Sequence, residues 1–170
     1  MDTSTRALEL VRSLRERERF NKIDYYDPYP YQRKFHKTGS EANQRLLMAA
    51  NRIGKSFSGA SEMSYHLTGL YPDWWEGRKF TQPITAWAGG VSNETTRDIV
   101  QYELLGSPDD PAAFGSGTVP RNKIIKTERK PGVPNAKSVA LIQHVTGGNS
   151  SLFFKAYEMG VDKWQGRSVD

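Results

Sequence analysis

The sequence predicts an α/β fold built on a mostly parallel sheet flanked by helices. Three observations predict it. Short apolar runs of strand length alternate with longer amphipathic stretches, a glycine–lysine–serine loop joins one such run to a helical stretch, and glycines mark several of the boundaries. The 170 residues fit one domain, and 36% apolar with 11% aromatic residues can furnish a packed core.

Residues 3–21 read as a helix, with Ala7, Leu8, Leu10, Val11 and Leu14 forming an apolar stripe among Arg12, Arg15, Glu16, Arg17 and Glu18. The stripe suits either a helix packed on its own domain or an arm that meets a partner or DNA. The expected organisation is a helical arm over 1–23 and one domain over 24–170. Asp24 to Pro30 is an aromatic connector whose two prolines forbid a regular helix. A short helix from Tyr31 to about Lys37 ends at Gly39.

Arg45-Leu46-Leu47-Met48-Ala49-Ala50 is the first expected strand, and a helix follows from Lys55 to about Thr68, stopped by Gly69. Pro83 to Val91 reads as a second buried strand, and Ser92 caps a helix through about Leu105. The stretch 106–137, rich in Gly, Pro and charge, is long for a structureless loop and is expected to hold a turn or short strand. Residues 138–145 and 151–156 are two further strands, joined by Thr146-Gly147-Gly148-Asn149. Residues 158–166 suit a short helix or turn, and Ser168-Val169-Asp170 suits the start of another strand.

Composition excludes several classes. Charged residues make up 25%, which separates the chain from disordered tails and membrane proteins, and no apolar run approaches the ~20 residues that cross a bilayer. Met1 to Arg6 lacks the apolar core of a signal peptide. Without cysteine there is no disulfide and no cysteinyl metal site. The net charge of +5 favours polyanionic partners, a property shared with many basic domains that bind no nucleic acid.

The segment Ala49-Ala50-Asn51-Arg52-Ile53-Gly54-Lys55-Ser56 fits G-x-x-x-x-G-K-[ST] with alanine at the first glycine. In such a loop the chain leaves a strand and curls, so that backbone N–H groups converge at the N-terminus of the next helix and favour phosphate oxygens. Gly54 lets backbone approach the phosphates, Lys55 would reach the β- and γ-phosphates, and the Ser56 hydroxyl would join a Mg²⁺ shell. The alternative reading is a glycine turn beside a surface lysine. Arg52 would stabilise charge at the γ-phosphate or simply remain solvated. Upstream, Tyr31 can stack on an adenine ring and Gln32 can bond its edge, unless both form an ordinary helix start. ATP with Mg²⁺ is therefore the expected ligand.

These residues resemble a known family. Tyr31-Gln32, Ala50 to Ser56, His66-Leu67-Thr68-Gly69-Leu70-Tyr71-Pro72, Ser151 to Glu158 and Trp164-Gln165-Gly166 look like the N-terminal part of phage terminase large subunits, over roughly residues 28–170. The resemblance implies an ASCE-type P-loop fold and ATP-driven translocation of double-stranded DNA into the procapsid. It also implies a homo-oligomeric ring on the portal protein, recruitment by a small terminase subunit, a nuclease domain in the whole protein, and action in the host bacterial cytoplasm without a membrane. The apolar run ending in Asp-Glu that the family carries is absent. Asp170 stands where that strand would begin and is not expected to be the metal-binding acid. By itself the chain is expected to bind nucleotide weakly and to hydrolyse it poorly or not at all.

Other readings place the chain among helicase-like translocases or small-molecule kinases, or make it a non-catalytic nucleotide- or partner-binding scaffold. His36, His66 and His144 lack ligand-like spacing, and His144 is expected on an exposed strand face. Trp74 and Trp75 suit packing under a loop better than base stacking. The basic run Arg121, Lys123, Lys126, Arg129 and Lys130 suits a solvated loop or a DNA-backbone contact. No Ser-His-Asp arrangement follows from the spacing.

Overall fold

The computed structural model describes residues 3–160, 164, 165, 169 and 170. Helix α1 spans Thr3–Phe20 and is exposed along nearly its whole length. It is anchored at its C-terminal end, where Arg19 donates to the Ala112 carbonyl and both Arg19 and Arg121 lie over the Phe20 ring. Helix α2 spans Pro30–Lys37 and starts at a proline, whose missing N–H is no loss in a first turn. At its N-terminus Gln32 Oε1 accepts from the Tyr29 amide at 2.9 Å, one half of a capping box.

Helix α3, Lys55–Thr68, carries a run of small residues, and Ser58, Ala60, Ser61 and Ser64 are buried where it meets the sheet and α2. It ends at Gly69, whose φ of 74° is the left-handed conformation that closes many helices. The expected strand Pro83–Val91 is realised as β1, Thr85–Gly90. Ser92 then caps a helical stretch as expected, accepting from the Thr95 amide. That stretch comprises α4 (Asn93–Thr95), a π-helical segment (Thr96–Gln101) and α5 (Tyr102–Leu105). The expected short strand in the long loop is β2, Ile124–Arg129, followed by β3 (Lys137–Gln143) and β4 (Asn149–Ala156).

The four strands lie in the order β1-β4-β3-β2. Only β1 and β4 pair in parallel, while β3 is antiparallel to both β4 and β2. The expectation of a mostly parallel sheet is therefore corrected: among the described residues the sheet is mixed, because tight turns at 130–136 and 144–148 connect β2, β3 and β4 and can only reverse the chain. One face alternates inward, with Ala86, Ala88, Ala140, Ile142, Leu152 and Phe154 buried against Ala60, Leu67, Leu104 and Leu105.

Two further expectations change. Residues 45–50 do not form a strand: no strand lies beside them among the described residues, and Leu46 and Met48 are 79% and 80% exposed. An apolar run becomes a strand only when a neighbour supplies the ladder of hydrogen bonds. His144, expected on an exposed face, is buried just past the end of β3, packed under the turn at Gly69. Of the strand start expected at 168–170, residues 169 and 170 are not in a strand, although the Asp170 amide donates to the Thr85 carbonyl on the outer edge of β1, and residue 168 lies outside the described residues. Of the helix or turn expected at 158–166, a single 3-10 turn covers Tyr157–Met159; residues 161–163 and 166 lie outside the described residues.

Candidate phosphate loop and its supports

The loop expected to grip phosphates is built by backbone conformation. Arg52 and Gly54 both adopt positive φ, 61° and 78°, and turn the chain into the first residue of α3. The left-handed region is open to glycine at no steric cost, whereas at Arg52 it costs about 1 kcal/mol. The first helical bond runs from the Ser58 amide to the Gly54 carbonyl at 2.9 Å, so the amides of Lys55, Ser56 and Phe57 have no acceptor within the helix. These donors, together with the positive end of the helix, suit an anion.

Lys55 closes the loop upon itself. Its Nζ donates to the Ala49 carbonyl at 2.7 Å and also to the Ala50 carbonyl. Asn51 and Arg52 are exposed, Ile53 is half-buried, and Ser56 is exposed at the mouth of a cavity of about 260 Å³. That cavity is lined by Gly59, Met63, Ala88, Gly89 and Glu103 among others. Burial pushes the Glu103 carboxyl up from its ordinary value.

Tyr31 and Gln32, which the sequence places beside the site, do reach it. The Tyr31 hydroxyl donates to the Ile53 carbonyl, and Gln32 Nε2 donates to the carbonyls of Gly54 (3.3 Å) and Ile53 (3.4 Å). Gln32 is 3% exposed and Tyr31 39%. The glutamine amide thus braces the loop, while the tyrosine ring stands at its rim, stacked on Tyr29 with centroids 5.9 Å apart.

Behind the loop lies a polar cluster that the sequence did not reveal. Glu62, on α3, is 6% exposed and accepts from Arg45 Nη2 at 2.5 Å; it also bonds His36 Nδ1 at 2.7 Å and lies 3.4 Å from His66 Nε2. Burial pushes its carboxyl up, but the bonds from His36, His66 and Arg45 outweigh that and hold it well below the usual carboxylate range. His36 Nε2 meets the Tyr26 hydroxyl at 3.0 Å and Ser58 Oγ at 3.2 Å. The one sequence signal was the i,i+4 pair Glu62 and His66 on a helix with small neighbours; Tyr26, His36 and Arg45 lie too far away in sequence to be associated with it.

The remaining candidates separate cleanly. Trp75 is 4% exposed and packs on Tyr65, His36 and His66, with Trp74 beside it, so both tryptophans serve packing. The basic run opens with a 3-10 turn at Arg121–Lys123 and continues as the edge strand β2, where Lys126 pairs with Glu128 at 3.3 Å. Among the described residues no group of His, Asp or Glu forms a metal cluster.

A curled loop that enters a helix through a lysine and a serine, beside a mixed sheet flanked by helices, defines an α/β protein. Residues 46–170 match the family described as terminase large subunit, T4likevirus-type, N-terminal. The chain belongs to that family. It is 34% identical, over 182 aligned positions covering 95% of its length, to the terminase large subunit of Salmonella phage P22. It spans 36% of the length of that relative. No solved structure matches the chain.

Proposed function

We propose that this chain is the ATP-binding part of a terminase large subunit that powers packaging of double-stranded viral DNA into the procapsid. The observation that carries the proposal is the conformation of residues 49–56: two left-handed residues aim the loop into the N-terminus of α3, and Lys55 Nζ lies over the loop on the Ala49 and Ala50 carbonyls. In this reading the amides around Gly54 hold the β- and γ-phosphates, and Lys55 exchanges its carbonyl partners for phosphate oxygens. Arg52, exposed and without an ion-pair partner among the described residues, turns toward the γ-phosphate. Ala49, Ala50, Asn51 and Ile53 shape the cradle. Tyr31 offers its ring to the adenine, and Gln32 acts on the nucleotide through the loop it braces.

The residues present fit a nucleoside triphosphate: unpaired helix amides, an ammonium and a glycine that admits close approach. For Mg²⁺ the loop supplies one hydroxyl, that of Ser56, and the phosphates and water complete the shell. The bound Mg²⁺ would neutralise phosphate charge. Double-stranded DNA, a small terminase subunit, the portal protein and further copies in a ring are the partners this reading assigns to the whole protein, in the host cytoplasm. No described helix is long and apolar enough to cross a membrane.

The test is binding of a fluorescent ATP analogue to the chain and to Lys55→Ala. The variant is expected to bind at least about tenfold more weakly. Equal affinity would remove the phosphate-loop assignment.

A further inference from the structure

We propose that Glu62 is a positioning residue that holds both flanks of the phosphate loop in register through one buried carboxylate. The inference rests on the nucleotide-binding reading above and names a residue that reading does not use.

Two routes lead from Glu62 to the loop. On the first, Oε2 bonds His36 Nδ1 at 2.7 Å, which fixes helix α2 against α3. One helical turn earlier on α2, Gln32 Nε2 donates to the Gly54 and Ile53 carbonyls. On the second, Oε1 accepts from Arg45 at 2.5 Å. Arg45 begins the segment that ends in Ala49 and Ala50, whose carbonyls receive Lys55 Nζ. The two routes are tied together, because Arg45 Nη1 also donates to the Phe35 carbonyl at 2.9 Å and the guanidinium lies over the Phe35 ring at 4.7 Å. The segment 45–50 pairs with no strand among the described residues, so it is tethered to the helices by this ion pair at one end and by Lys55 at the other.

The second ring nitrogen of His36 is also accounted for. His36 Nε2 is satisfied by Tyr26 and Ser58, and Ser58 itself sits on α3, one turn past the loop. A displaced carboxylate would therefore disturb loop carbonyls and helix amides together. Placement of a phosphate-binding group is steep in effect, since a shift on the order of 1 Å can change rates or affinities by about 10².

The experiment measures fluorescent-ATP affinity of the chain carrying Glu62→Gln, Gln32→Ala, both together, and Lys55→Ala, with thermal melting of each. Glu62→Gln is expected to weaken binding about tenfold. Because one of the two routes from Glu62 runs through Gln32, the double variant is expected to lose less than the product of the two single losses, whereas general loosening of the fold would give multiplied losses. His36→Gln, which keeps a donor toward Glu62, is expected to bind several-fold better than His36→Ala. If Glu62→Gln does not fold, Arg45→Met, which retains the stem over Phe35, carries the test and is expected to weaken binding several-fold. Wild-type affinity in Glu62→Gln or Arg45→Met, or multiplied losses in the double variant, overturns the positioning role while Lys55→Ala still loses binding. Unchanged binding in Lys55→Ala overturns the nucleotide reading itself.

Discussion

Gln32 donates its side-chain amide to the Gly54 carbonyl at 3.3 Å, across 22 residues of sequence. The bond puts the first turn of α2 directly behind the residue that turns the loop into α3. A Cβ added at Gly54 would stand 3.1 Å from that same amide nitrogen. The loop is therefore shaped from two sides: by left-handed backbone within it and by a buried amide outside it.

Arg52 holds a left-handed backbone that its Cβ disfavours. Arg52→Gly is expected to raise stability by about 0.5–1 kcal/mol and, at the same time, to weaken nucleotide binding by removing the guanidinium. Urea unfolding and fluorescent-ATP titration of the same preparation check both directions. A variant that is less stable and binds equally well would contradict both halves.

Gly69 closes α3 at φ 74° and faces His144. A Cβ there would stand 2.6 Å from Nε2 of His144 and 2.7 Å from Val145 Cγ2. Gly69→Ala is expected to cost at least ~1–2 kcal/mol from backbone strain, before the imidazole has to move. Thermal and urea midpoints of the variant measure it.

Glu62 makes the fold sensitive to acid. Its folded pKa lies below the unfolded carboxylate value of about 4.3, so the stability it contributes is present above that value and is lost as pH falls below it toward the folded pKa. The stability difference between wild type and Glu62→Gln is expected to be constant near neutrality and to shrink below about pH 4. Denaturant midpoints of the two proteins across pH 3–7 give the curve.

Tyr26 gives the opposite limit. Burial pushes its phenol up to about 12, against the lowering effect of the Ser58 bond. The protonated phenol is the form the fold favours, so its contribution is complete below about pH 10 and is lost as pH rises toward the folded value. Tyr26→Phe is expected to cost about 1–2 kcal/mol at neutral pH, because Ser58 and His36 lose a partner. The gap between the two proteins is expected to close between about pH 10 and 12, as read from unfolding midpoints and phenolate absorbance.

The helices were legible because their signals are local. Gly54, Ser92 and Gly69 fix where helical stretches begin and end, and helix α3 occupies the residues its pattern marks, whereas α2 begins at Pro30, which the sequence assigned to the connector. The motif at Ala49–Ser56 was legible for the same reason: a loop of eight residues carries its own backbone chemistry. Tyr31 reaches the loop at the Ile53 carbonyl, and the burial of Gln32 depends on α2 lying against the loop.

Sequence alone determined the α/β character, the extent of α3, the glycine–lysine–serine motif and the resemblance to terminase large subunits, all of which reside in contiguous residues. Tertiary structure alone decided strand direction, the unpaired state of residues 45–50, the burial of His144 and the convergence of Tyr26, His36, Arg45 and Glu62. Those features are relations between distant segments. A ladder needs a neighbour and a buried charge needs partners, and a linear pattern specifies neither.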